Sequence, residues 1–171
     1  MLILSINYKL KYYNIEFSGQ NIIKPKTLMK SKKISSYYSK LKKMDKDDKD
    51  DGFFEDQGNE AFIMLLLRYM GYKKPFKDYE FGDIDIPSAE VYTCAETGDW
   101  SGLLSFIKES EQMSDVLKKI PKLDITDKIL KQMENNIDLI MDYLENGKFD
   151  PKLGSNNFGD ARDPGFLESI I

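Results

Sequence analysis

A chain of 171 residues suits one ordinary domain or two very small ones, and at 41% hydrophobic and 32% charged it can bury a core under a well-solvated surface. With no histidine and one cysteine, Cys94, it excludes internal disulfides, His-dependent nucleophile systems and Cys/His zinc sites. The net charge of −4 conceals an asymmetry: residues 1–44 hold ten lysines and one acid, net +9, whereas residues 45–171 are net −13.

Residues 1–44 read as a basic N-terminal extension. "MLILSINYKLKYYNIEF" alternates loosely and suits one or two strands. "NIIKPKTLMKSKKISSYYSKLKK" is a basic, aromatic-bearing tail. Clustered lysines attract phosphate, so one reading is an arm for nucleic acid or an anionic membrane. The favoured alternative is a poorly ordered extension. The change of character at "KKMDKDDKDDG" makes Met44 an alternative start.

Residues 45–58 read as an acidic linker. In a calcium-loop register with Gly52 as the glycine, Lys49 falls on a ligand position and Gly58 on the twelfth, where a carboxylate is needed. The loop is rejected.

Residues 59–147 carry apolar residues at helical spacing, so the fold class is mainly α: a small helical bundle, or two short three-helix modules. "NEAFIMLLLRYMGY" predicts a buried helix with Asn59 as N-cap and Gly71 at its stop. "SAEVYTCAETGDWSGLLSFIKES" predicts two short helices broken at "TGDWSG", with Ser88 as N-cap and Trp100 as a core anchor under the turn. "SDVLKKIPKL" aligns Val116, Leu117 and Ile120, and Pro121 limits its continuation. "TDKILKQM" adds Ile129, Leu130 and Met133. In "ENNIDLIMDYLENG", Ile137, Ile140, Met141 and Leu144 fall on one face, with Gly147 at the stop. Residues 148–171 read as an irregular tail from which Phe166, Leu167 and the final isoleucines can dock.

Ser114 to Gly147 resembles a UBA domain, the ubiquitin-associated three-helix module. "ENNID" is similar to that family's junction before its third helix, and "MDYL" to the end of that helix. "LDI" (Leu123, Asp124, Ile125) stands where a Met-Gly-Phe turn is expected. A turn of the family's kind stands upstream instead, at Met70, Gly71 and Tyr72 of "LLLRYMGY", so the chain resembles two degenerate modules in tandem. Isopeptidase T-type deubiquitinases carry a similar pair, but their catalysis needs histidine, so that activity is not carried over. The resemblance implies that the turns and the ends of the third helices form a shallow apolar patch for ubiquitin. Its members would be Met70, Gly71, Tyr72, Leu104 and Ile107 in the first module, and Leu123, Ile125, Tyr143 and Leu144 in the second.

The carboxylate pairs Asp83/Asp85 and Asp160/Asp163 read as turn chemistry rather than catalysis. No enzyme activity, cofactor or metal site is expected. The expected function is a non-enzymatic protein–protein interaction module, most specifically a ubiquitin-binding adaptor. The alternative is an acidic neutralising partner, of immunity or inhibitor type, that covers a basic protein target. No apolar run reaches the length of a membrane span, and a lone cysteine fits a reducing, intracellular and cytoplasmic location.

Overall fold

A computed structural model describes residues 27–49, 52–74, 86–146, 161–162 and 164–171. These residues are mainly α-helical, with no strand among them. The helices are α1 (Lys32–Asp48), α2 (Phe53–Tyr69), α3 (Ser88–Thr97), α4 (Ser101–Glu109), α5 (Ser114–Leu117), α6 (Asp127–Asn146) and α7 (Pro164–Ser169). A 3-10 turn, Glu111–Met113, joins α4 to α5.

α2 is the central element. The run from Gln57 to Leu67 is buried at every position: Ala61–Leu67 is apolar on all sides, and the polar Gln57, Asn59 and Glu60 before it are buried with hydrogen-bond or ionic partners. α1, α3 and α6 pack against it and α1 also touches α3 and α6, so one continuous core runs through the bundle. Gly58 permits the close approach of α1 and α2. A Cβ there would lie 2.5 Å from both Leu41 methyls and 2.9 Å from the Tyr37 hydroxyl.

The expected extension boundary is corrected. α1 lies mostly within residues 1–44, yet Ile34, Tyr37, Tyr38 and Leu41 are core residues at i, i+3, i+4 and i+7. Burying each contributes roughly 1.5–3 kcal/mol, enough to fix the helix despite its lysines. Strands expected at the N-terminus lie in residues outside the described set.

The chain before α1 is also tied down. Leu28 N–H donates to Gly98 O and Ser31 N–H to Ala95 O, both at 2.9 Å. Met29 N–H donates to Asp127 at 2.8 Å, and the Trp100 indole N–H donates to Met29 O at 3.3 Å. Gly98 has φ +77°, and a Cβ there would sit 2.5 Å from Leu28 O, so glycine is required on both counts. Trp100 is buried and anchors the turn between α3 and α4, as expected.

The acidic linker is likewise absorbed. Asp45, at the end of α1, is buried, and its carboxylate accepts from Phe54 N–H at 2.7 Å and Glu55 N–H at 3.0 Å. It caps α2 from outside, where the helix dipole favours a negative charge. Helix α2 therefore starts at Phe53, not Asn59. Asn59 lies inside the helix, accepting from the Tyr38 hydroxyl at 2.8 Å and donating to Ile86 O at 2.6 Å.

Two further expectations are corrected. "ENNID" marks no helix junction, because α6 is continuous from Asp127 to Asn146. The Asn136 side chain instead donates to the Tyr69 hydroxyl on α2. Within the expected irregular tail, α7 is helical: Ala161, Phe166 and Leu167 are buried, and Phe166 stacks on Tyr143 at 4.0 Å. The expected stop at Gly147 lies outside the described residues.

Candidate functional site

The nine residues expected to form an apolar patch are not gathered on the surface. Met70, Tyr72, Ile107, Ile125, Tyr143 and Leu144 are buried core residues, and Leu104 and Leu123 are half-buried against the same core. Gly71, at φ +107°, turns the chain after α2 with Pro121 packed beneath it. Tyr72 is 1% exposed, and the Arg68 guanidinium lies 5.6 Å over its ring. The core won because α6 turns its whole apolar stripe inward, including the "MDYL" end.

The four aspartates considered for catalysis, Asp83, Asp85, Asp160 and Asp163, fall outside the described residues. Among the described residues no group of three or more His, Cys, Asp or Glu is placed to hold a metal ion. Cys94 is buried, and loss of solvent pushes its thiol up to about 12.

A cleft of about 350 Å³ opens between α2 and the start of α3, lined by Asp56, Asn59, Glu60 and Ile86–Ala89. Burial, then the charges of Glu55 and Asp45, raise the Asp56 carboxyl above its ordinary range, and Arg162 opposes them. The neighbouring polar groups have structural partners. Glu60 pairs with Arg162 at 3.2 Å, Ser88 donates to Glu55, and Asn59 bridges α1 to Ile86.

Besides a few exposed apolar side chains (Phe53, Tyr92, Phe106, Leu139 and Ile171), the outside carries charge. α1 and α6 run side by side in the same direction, as the links Ser31–Glu134 and Lys33–Asp138 show. A groove of about 300 Å³ between them is lined by Lys32, Lys33, Lys40, Asp138 and Met141, among others. One wall is basic. The other carries Asp138, and further along α6 Asp142 and Glu145 are exposed at i+4 and i+7 from it. One ion pair, Lys33–Asp138 at 2.7 Å, spans the groove, and both partners are well exposed, so it adds little stability. Leu139, 46% exposed, adjoins this acidic edge in sequence.

Part of this charge pattern is legible in the sequence. The asymmetry of charge is a sequence fact, but placing each set on one helix face needed the register of α1 and α6. Among the described residues no helix is long and apolar enough to cross a membrane. Compared with known proteins, the chain matches no family model, no curated protein and no solved structure.

Proposed function

We propose that this chain is a non-enzymatic interaction protein that engages a basic protein target through the acidic edge of α6. The observation that carries the proposal is the exposed row Asp138, Asp142 and Glu145 on a rigid helix, within residues 45–171, whose net charge is −13. Opposite fields speed encounter and disfavour wrong partners, which is the main contribution of charge to recognition. Leu139 supplies apolar area beside the row, the kind of contact a charged rim surrounds in a protein interface.

The ubiquitin-adaptor reading rests on the resemblance of Ser114–Gly147 to a UBA module. It would draw on Met70, Tyr72 and Leu144, which would have to leave the core to reach a partner. The acidic-edge reading needs no such rearrangement and is preferred for that reason.

The test is quantitative affinity capture from the source cell, with the wild type and with the triple variant Asp138→Asn, Asp142→Asn, Glu145→Gln. A basic protein captured by the wild type, lost in the variant and released by moderate salt is expected. In parallel, isotopically labelled ubiquitin is titrated with the full chain. Shifts confined to ubiquitin's apolar patch would overturn the acidic-edge reading in favour of the adaptor.

A further inference from the structure

The outward side of α1 is a second charged surface, opposite in sign and not used by the acidic-edge reading. From Lys30 to Lys46 every exposed side chain is lysine or serine: seven lysines, with Ser36 and Ser39. Lys33 is engaged by Asp138. Lys32, Lys40, Lys42, Lys43 and Lys46 form no ion pair with any described residue. Along α1 the one acid within the row, Asp45, is buried, and exposed acidic side chains resume only at Asp47; from α6, Asp138 faces Lys32, Lys33 and Lys40 across the groove. From Lys32 to Lys46 the row runs about 21 Å along the helix, at 1.5 Å per residue.

We infer that this lysine row docks on the phosphate backbone of a double-stranded nucleic acid. The spacing suits it: about 21 Å spans roughly six base pairs of duplex at 3.4 Å each, with phosphates of both strands within reach. The row is held rigid, since the opposite side of α1 (Ile34, Tyr37, Tyr38 and Leu41) is locked in the core. That also separates the possible polyanions. A helix that binds a lipid surface by insertion turns an apolar face to the bilayer, and here that face is spent on the protein interior. Single strands are gripped by exposed aromatic rings on which bases stack, and both tyrosines of α1 are buried. What remains is a fixed array of ammonium groups. Such an array reads charge and spacing but not base identity. Residues 1–26, immediately before the row, add four more lysines against one acid. They extend the same charge along the chain.

The experiment measures binding of the full chain to a fluorescent DNA duplex of about 20 base pairs by anisotropy, over a series of salt concentrations. Two triple variants remove the same charge from different places. One is Lys32→Gln, Lys40→Gln, Lys43→Gln on α1. The other is Lys118→Gln, Lys119→Gln, Lys122→Gln, all exposed at the far end of the α5 segment. Glutamine and lysine have similar helix propensity, so α1 should keep its helicity, checked by circular dichroism.

The expected result is duplex binding that weakens steeply with salt. The α1 triple should lose at least about tenfold in affinity at low salt. Its log–log salt slope should be shallower by roughly 2–3, at about 0.9 for each phosphate no longer neutralised. The α5 triple should behave as wild type. Equal loss in both triples would mean that net charge alone matters and would overturn the assignment. No binding at low salt would also overturn it. So would tighter binding to a single strand of the same length, or to phosphatidylserine vesicles, the latter making the row a membrane-surface contact.

Discussion

Ser31 Oγ donates to Glu134 at 2.5 Å while accepting from Ile34 N–H at 3.1 Å, so one hydroxyl both caps α1 and fastens it to α6. Residue 31 lies in a stretch whose composition suggests a loose basic tail. Its hydrogen bonds make it a structural joint between two elements 103 residues apart. Replacing Ser31 by Ala should cost about 0.5–2 kcal/mol through the lost cap alone. Chemical denaturation monitored by circular dichroism measures this, and a stability unchanged within a few tenths of a kcal/mol would mean that the cap and the Glu134 link contribute nothing.

A chain begun at Met44 would lack Ile34, Tyr37, Tyr38 and Leu41, four members of the core. It should not unfold cooperatively, because each missing side chain forfeits on the order of 1.5–3 kcal/mol against a typical total of 5–15. A chain begun at Thr27 should retain a cooperative transition. A sharp urea transition in the Met44 version would count against the integration of α1.

The α1–α2 crossing makes a specific demand on Gly58. Gly58→Ala should destabilise by about 1–3 kcal/mol, the usual cost of overpacking, because the new methyl meets both Leu41 methyls and the Tyr37 hydroxyl. Truncating Leu41 to Ala opens space at that spot. The double variant should therefore be more stable than the sum of the single effects predicts. Strict additivity in the cycle would show that the two positions are not in contact.

Alkali should weaken the fold. Burial raises the Cys94 thiol to about 12 and the Tyr37 and Tyr38 hydroxyls well above their ordinary value. The unfolded chain releases these protons near 9.0 for the thiol and 10.0 for the phenols. Above about pH 9 the unfolded state thus holds fewer protons than the folded one, so stability falls as pH rises; below that the contribution is fully present. Urea midpoints should drop progressively between about pH 9 and 11. A thiol-specific chromogenic reagent should react slowly with native Cys94 and quickly in urea. A level midpoint across that range would show that these groups reach water in the native state.

The helical class, the break at "TGDWSG", the anchoring role of Trp100 and the inward face of Ile137, Ile140, Met141 and Leu144 were all legible in the sequence, because apolar spacing and a left-handed glycine are local signals. α1 carried the same signal at Ile34, Tyr37, Tyr38 and Leu41. It was masked because six lysines between Lys30 and Lys43 dominate the composition there. The start of α2 is hidden for a different reason. Its cap is the Asp45 carboxylate of the previous helix, a contact that no pattern within "FFEDQGNEAF" can reveal. Most residues of the patch that the resemblance implies lie in the core, and sequence does not say whether amphipathic rings such as Tyr72 and Tyr143 face in or out.

Both the core and the lysine row depend on α1 being a helix with its apolar side inward and its lysines outside. Native-state hydrogen exchange of the amides from Ile34 to Asp45 tests this most directly. Their protection should approach that of the α2 and α6 amides, indicating that α1 opens only with the whole bundle. Exchange near the rate of an unstructured chain would contradict this arrangement. It would return residues 27–48 to the status of a basic tail and remove the rigid lysine row with them.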